Sequence, residues 1–238
     1  MCIAGAKHYF LSIAGIAISL LRTRYRITIQ RATIHFNNDI ENKLSSAGIT
    51  GITDRYKIFK NSPNIGTVLI YFTETGFAHF NSHPAHELFN LSLSLDDIFD
   101  KNSVTEVENK LSIAPTDKLR IQIVEQFLLS QIKHLEKDKL IAEAIRLIYQ
   151  CNGAIRIKDL NEKLFISASP FEKRFRKVLG TTAKKFASIV RFNHIINSLD
   201  GAKSLTELGY ESNFFDQSHF IKSFKQFTGD TPESFSNY

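Results

Sequence analysis

The chain has 238 residues, of which 43% are hydrophobic and 23% are charged, and its net charge is +6. This composition excludes a fibrous, low-complexity or largely disordered protein, and the length allows two modest domains or one large one. The positive charge lies in the C-terminal part: residues 139–238 hold 15 basic and 10 acidic residues, against 15 and 14 before them. Such an asymmetry is typical of a segment that binds nucleic acid.

The two cysteines, Cys2 and Cys151, are far apart and neither belongs to a Cys-x-x-Cys pair. A disulfide framework or a structural zinc site is therefore not predicted, and a reducing cytoplasm is the expected compartment. Cys151 is interpreted as a small buried apolar residue rather than as a reactive thiol.

An apolar run of 13 residues extends from Tyr9 to Leu21 and is followed by arginines. It is shorter than the roughly 20 residues that a membrane-spanning helix needs. Its positive charges follow the run, whereas those of a signal peptide precede it. We expect a buried strand or helix and no membrane partner. A membrane anchor, or a start at which residues 1–21 are not native sequence, are the alternatives.

Two strands are predicted in the N-terminal half. Residues 24–30 place Tyr25, Ile27 and Ile29 on one side and polar residues on the other, which is the period of a half-buried strand. Residues 67–73 are rich in β-branched and aromatic side chains. A Thr-Gly turn then precedes the apolar residues 77–80, so this second pattern predicts a hairpin.

The pattern becomes helical after Pro84. Ser103 and Glu106 have the spacing of a capping box at a helix start. Thr116 is predicted to cap a long helix with one apolar stripe, formed by Ile121, Val124, Leu128 and Ile132. This stripe either packs onto the sheet or forms a dimer interface.

The fold class predicted from these patterns is α+β with two domains. Residues 1–133 form a strand-rich mixed domain of a sensor or dimerisation type, and the polar residues 134–138 form a linker. Residues 139–238 form an all-α domain, because their apolar residues recur at helical spacing and strand patterns are missing from this part of the sequence.

Within residues 139–238, the helical plan occurs twice. A helix over 139–150 ends at Asn152-Gly153, a pair that favours the left-handed backbone of a helix stop. Two helices joined by the short turn 165–167 predict a helix-turn-helix unit at about 158–179. A connector helix over 183–199 leads to a second unit at about 204–227.

The last helix of the first unit is the informative one. Phe171 and Phe175 face the core, and Ser167 or Ser169 can cap the helix. The outward residues are mostly basic: Glu172, Lys173, Arg174, Arg176 and Lys177. Basic side chains on one exposed helix can neutralise phosphates and reach base edges in a major groove. A charge run is more often simply a solvated face, so this helix alone does not establish DNA binding.

Two motifs resemble those of AraC/XylS-type DNA-binding domains. The first is F-D-Q-S-H-F-I-K-S-F-K-x-F-T-G-x-T-P, from Phe215 to Pro232, and the second is S-x-x-x-F-E-K-R-F-R-K-x-x-G, from Ser167 to Gly180. The resemblance covers residues 139–238. It implies a bacterial, cytoplasmic transcription regulator, here expected to be an activator, whose two recognition helices enter successive major-groove segments of a double-stranded operator.

The resemblance also implies roles for individual residues. Base contacts are expected from Ser169, Glu172 and Lys173 in the first unit and from Gln217, Ser218, Ile221 and Lys222 in the second. Phosphate contacts are expected from Arg174, Arg176, Lys177 and Lys225. The sequence departs from the family pattern at four positions: Asn161, Ala183, Gly209 and Asn213.

The N-terminal half resembles, through Gly76 to Asn90, an uncharacterised domain found on some AraC-type regulators. This resemblance implies a homodimer contact or a small-molecule effector site without naming a ligand.

His79, His83, His86 and Glu87 lie close in sequence, but their spacing fits no standard zinc motif, so neither a metal nor a cofactor is predicted. No catalytic residue is predicted, and an enzyme is not expected. The alternative is a DNA-targeted enzyme or repair protein that uses this domain for targeting.

Overall fold

The computed structural model describes most of the chain: residues 8–10, 26–29, 33–37, 40–44, 46–56, 58–61, 67–80, 85–133, 138–198 and 217–235. These residues divide into two units. The first contains the described residues from 8 to 52 and from 58 to 133, and the second contains residues 53–56 and 138–235. The fold class is α+β, as predicted.

Eight short strands build two sheets in the first unit. Their bounds are β1 His8–Phe10, β2 Arg26–Ile29, β3 Thr33–Asn37, β4 Ile40–Leu44, β5 Ala47–Thr50, β6 Ile58–Asn61, β7 Thr67–Tyr71 and β8 Ser92–Ser94. The five-stranded sheet has the order β1-β7-β2-β5-β8, and the three-stranded sheet has the order β4-β3-β6. Only the β1–β7 pair is parallel among the described pairs. The two predicted strands are thus confirmed as β2 and β7.

The predicted hairpin after β7 is wrong. Residues Gly76–His79 form a 3₁₀ turn, and the strand partners of β7 are β1 and β2. The ring of Phe72 packs against Phe77 and Phe80, with centroids 5.5 and 5.1 Å away. Burial of three aromatic rings on one side favours this turn over a strand, whose alternate residues would point to opposite faces.

Two helices complete the first unit, α1 (Lys101–Ile113) and α2 (Asp117–Gln131). The predicted cap of α1 is wrong: Asp100 caps it by accepting from Ser103 N at 2.9 Å. Thr116 caps α2 as predicted, accepting from Leu119 N at 3.3 Å. In α2 the residues Val124 and Leu128 are buried as the predicted stripe requires. Ile121 in α2 and Ile132, which follows the helix, are only half-buried.

The apolar run from Tyr9 to Leu21 lies mostly outside the described residues. Only its first two residues are described, and they belong to β1. Among the residues that the structure describes, no helix has both the length and the apolar character required to cross a bilayer.

The described helices of the second unit are α3 Lys139–Gln150, α4 Ile157–Lys163, α5 Ala168–Leu179, α6 Ala183–Asn197, α7 Gln217–Thr228 and α8 Pro232–Phe235. Asp138 caps α3 by accepting from Ile141 N at 3.0 Å. The predicted helix at 204–208 and the turn at Asn213 lie outside the described residues.

Aromatic rings form the core of the second unit at two places along α6. At one end, Phe186 packs against Phe175 and Tyr149, with centroids 5.8 and 5.9 Å away. Nearer the other end, Phe192 stacks on Phe227 at 4.4 Å and meets Phe224 at 5.5 Å. The connector helix α6 therefore contributes to the core around both α5 and α7.

The stop of α3 is confirmed and is sterically specific. Asn152 and Gly153 have φ angles of 49° and 75°. A Cβ on Gly153 would lie 2.2 Å from the backbone oxygen of Ala187 in α6, so only glycine fits.

Two side chains near this stop are also described. Arg191 donates to the Gly153 carbonyl at 2.8 Å, and burial lowers the pKa of the Arg191 guanidinium. Cys151 beside this turn is exposed, so its predicted burial is wrong.

Candidate nucleic-acid interface

The helix α5 has one face in the core and one in solvent. Phe171, Phe175 and Leu179 are fully buried, at 0% exposure each. Ser169, Lys173, Arg174, Arg176 and Lys177 are exposed, and Glu172 is half-buried. Buried rings at i and i+4 fix the rotation of the helix, so the polar residues predicted as DNA contacts share the free face.

A tight turn sets α4 and α5 at their positions. Phe165 has a φ of +52°, a left-handed backbone that is costly for an aromatic residue, and its side chain is 97% exposed. The amide N–H groups of Phe165 and Ile166 donate to Glu162 O and Asn161 O, which ends α4. Of the two predicted capping residues, Ser167 occupies the N-cap position of α5, although its side chain makes no capping hydrogen bond.

The charged groups of α5 differ in how firmly they are held. Arg174 forms an ion pair with Asp138, whose hydrogen bond raises the pKa of the guanidinium. Arg176 Nε contacts Glu172 Oε1 at 3.0 Å, one helical turn away. Lys173 and Lys177 form no ion pair with any described residue. These two lysines are the cations of α5 most available to a phosphate or a base.

The helix α7 repeats this division of faces. Phe220, Phe224 and Phe227 are buried, at 3%, 0% and 5% exposure. Ser218, Lys222 and Lys225 are exposed, and Ile221 is 38% exposed, which is unusual for a branched apolar side chain on a helix with a well-filled core. The position of Gln217 is described as the first residue of α7, but its side chain lies outside the described part.

A segment that the sequence did not single out also belongs to this unit. Residues 53–56 lie among the helices, where Lys185 Nζ donates to Asp54 Oδ2 at 3.2 Å. Gln226 Nε2 donates to the carbonyl of Asp54 at 2.8 Å, and Tyr56 N donates to the carbonyl of Gln226 at 3.1 Å. A four-residue polar segment carries no periodicity, so no sequence signal could have placed it here.

Two departures from the family pattern have visible consequences. Asn161 in α4 has a buried Oδ1 that accepts no hydrogen bond from the described residues. The family pattern places a small residue at this position. Ala183 is fully buried at the start of α6, and Thr182 caps that helix by accepting from Lys185 N at 3.0 Å. The helix start is thus maintained without a proline.

In the first unit, His86 and Glu87 are exposed on a 3₁₀ turn and His79 is half-buried, while His83 lies outside the described residues. Among the residues that the structure describes, no group of three or more His, Cys, Asp or Glu is placed to hold a metal ion.

The part of the chain that contains α5 and α7 matches a known family of DNA-binding domains. Residues 160–238 match the family model of the helix-turn-helix domain. This part of the chain is an AraC-type helix-turn-helix domain. The match includes α5 and α7, so both exposed helices belong to the AraC-type domain.

A relative of the chain is the Msm operon regulatory protein of Streptococcus mutans serotype c (strain ATCC 700610 / UA159). The two are 29% identical over 144 residues, which cover 58% of this chain. The match spans about half of the relative's length, 51%.

Two solved structures of ToxT from Vibrio cholerae are similar over most of the chain. One, from strain O395, has a TM-score of 0.47 and 15% identity, and covers 92% of this chain and 91% of ToxT. The other, at 1.65 Å resolution, has a TM-score of 0.47 and 14% identity, and covers 92% of each chain.

Proposed function

We propose that the chain is a sequence-specific DNA-binding transcription regulator that reads two successive major-groove segments, one with α5 and one with α7. The observation that carries this proposal is the pair of recognition helices within one AraC-type domain. Each has a phenylalanine stripe in the core and a polar, partly basic face in solvent. A helix in this arrangement presents side chains of the length and polarity that base edges and phosphates require.

The exposed residues divide by their chemistry into base readers and phosphate ligands. Lysine donates to guanine O6 and N7, and an exposed isoleucine can contact a thymine methyl group. We therefore assign base reading to Lys173 in α5 and to Ile221 and Lys222 in α7. Ser169 and Ser218 are placed on the same faces and are assigned hydrogen bonds to bases, and Gln217 is assigned to adenine from its sequence position.

The ion pairs modify the predicted phosphate contacts. Arg176 is already turned toward Glu172, so a phosphate contact of Arg176 and a cytosine contact of Glu172 both require that this exposed pair opens. Exposed pairs contribute little, so opening is inexpensive. Arg174 is held by Asp138 at the start of α3 and is assigned mainly to fixing α5 against α3, with Lys177 and Lys225 as the freer phosphate ligands.

The remaining features of the proposal concern the first unit and the compartment. We propose that the chain is a bacterial cytoplasmic regulator and that its first unit is a sensor or dimerisation module. Exposed apolar side chains on α1 and α2, Ile113 at 81% and Leu129 at 57%, offer a surface for self-association.

The test is selection of duplexes by the full chain from a random-sequence pool at about 150 mM salt, where the Debye length is about 8 Å and surface charge is largely screened. We expect a bipartite motif with half-sites about 10 base pairs apart, since that spacing is one helical turn. Binding without enrichment, or binding that disappears with salt, would contradict the proposal.

A further inference from the structure

The second recognition helix is fixed by a segment from the other half of the sequence. We propose, on the basis of the function proposed above, that Thr53–Tyr56 is a positioning element for α7 and is required for reading the second half-site but not the first. The segment is distant along the chain from both of its partners: 131 residues separate Asp54 from Lys185, and 172 separate it from Gln226.

The segment contacts both the connector helix and the second recognition helix. The Asp54 side chain is only 9% exposed and accepts from Lys185 Nζ near the start of α6. The Asp54 carbonyl accepts from Gln226 Nε2 in the last turn of α7. One residue therefore joins α6 to α7 through polar contacts, in addition to the rings of Phe192 and Phe227.

The segment also satisfies a helix end. The last four carbonyls of a helix have no partner within it, and those of α7 include Gln226 O. Tyr56 N donates to this oxygen at 3.1 Å, so Gln226 is held through its side chain and its backbone at once. The next carbonyl back, Lys225 O, is satisfied by Gly229 N at 2.9 Å.

The aromatic ring of Tyr56 closes the same corner. Gly229 follows α7 with a φ of +90°, and a Cβ on it would lie 3.2 Å from Tyr56 Cε2 and Cζ. The segment itself is bent by Thr53, whose hydroxyl donates to Arg55 O at 2.9 Å and accepts from Arg55 N at 3.3 Å. The segment is thus preformed, and it fits closely against the end of α7.

No corresponding contact is described at the first recognition helix. The helix α5 ends at Gly180 in the left-handed conformation, with Gly180 N donating to Arg176 O at 2.8 Å. Its position is fixed by α3, α4 and α6, which are close in sequence. Loosening Thr53–Tyr56 should therefore move α7 while α5 stays in place.

The experiment uses the full chain carrying Asp54→Ala and Gln226→Ala together, which removes the contacts to Lys185 Nζ and to the Asp54 carbonyl. Affinity is measured for the selected bipartite duplex and for a duplex whose second half-site is scrambled. The second half-site is the one whose recognition Lys222→Ala weakens. The wild-type chain should prefer the intact duplex roughly tenfold or more, the size of one good base contact.

We expect the double variant to lose most of this preference while its affinity for the scrambled duplex stays at the wild-type level. The matched control carries Asp96→Ala and Gln122→Ala, the same two residue types at exposed positions of the first unit, and it should leave the preference intact. A double variant that keeps the wild-type preference would overturn the proposal, and so would loss of affinity for both duplexes.

Amide hydrogen exchange without DNA separates a failure of this inference from a failure of the proposed function. In the double variant, the amides of α7 should exchange faster while those of α5 keep their wild-type protection. If the wild-type chain shows no preference between the duplexes, the proposed function fails, yet the exchange experiment still decides whether the segment holds α7. Unchanged protection of α7 would overturn the positioning role.

Discussion

The two proposed recognition helices, α5 and α7, look alike but are held in different ways. The helix α5 is packed by neighbours that are adjacent in sequence: α3, the short turn after α4, and the start of α6. The helix α7 is packed against the far part of α6 by aromatic rings, and its last turn is bound by Thr53–Tyr56. The same helical motif can therefore be stabilised locally in one copy and by a remote segment in the other.

The largest expected effect comes from removing one core ring on each side. Phe175→Ala should lower the free energy of unfolding by about 3–5 kcal/mol, because it leaves a cavity between Phe171 and Phe186. Phe192→Ala should cost a similar amount but weaken chiefly the contacts of α7. Urea denaturation and half-site binding measure both, and Phe165→Ala, at a 97% exposed position, is the control and should change stability by less than about 0.5 kcal/mol. Equal loss of both half-sites in both variants would contradict the comparison.

The next effect is on sequence reading. Lys173→Ala and Lys222→Ala should each weaken binding about tenfold, at one base position in its own half-site, since each removes one base contact. Lys177→Ala should weaken binding on every sequence and reduce the dependence of affinity on salt, as loss of a phosphate contact does. Filter binding or fluorescence anisotropy on single-position duplex variants measures all three. If the three variants acted alike on all sequences, the assignment of base readers would be wrong.

A smaller effect is expected at Asn161 in α4, which belongs to the first of the two helix-turn-helices. Asn161→Ala should raise the free energy of unfolding by about 1 kcal/mol, because it removes a buried oxygen without a described partner and introduces a better helix former. Thermal unfolding by circular dichroism is the measurement. Asn109→Ala on α1, at an exposed position in the body of the helix, provides the comparison for helix propensity alone. A destabilised Asn161→Ala variant would mean that the oxygen is satisfied in solution.

The smallest effect depends on pH and concerns α3, the helix that precedes the first helix-turn-helix. A hydrogen bond from Arg146, with Nε 2.7 Å from Glu143 Oε2, lowers the pKa of the Glu143 carboxyl from its usual 4.5. Because the folded pKa lies below the unfolded one, the stabilisation is present above pH 4.5 and is lost as the pH falls through the folded pKa. Glu143→Gln should slightly reduce stability at pH 7 and remove this part of the acid dependence. Denaturation at pH 7 and pH 3 checks it, and identical pH profiles for the variant and the wild type would contradict it.

Local patterns predicted much of the second unit. The bounds of α3 and α5, the Asn152-Gly153 stop and the buried phenylalanines follow from a 3.6-residue period and from residues that favour a left-handed backbone. The same reasoning failed where the environment decides. Residues 77–80 form a turn because the rings of Phe77 and Phe80 pack on Phe72. Cys151 is exposed, although cysteine is a residue type that is usually buried.

The sequence by itself determined the fold class, the paired phenylalanine-striped helices α5 and α7 and the side chains on their free faces, because periodicity and capping act over one or two helical turns. The tertiary structure alone decided which charges are already paired, as Arg174 is with Asp138, and what holds the end of α7. Both depend on hydrogen bonds between residues far apart along the chain. Their partners meet only after the core has formed, and no local pattern in the sequence encodes that meeting.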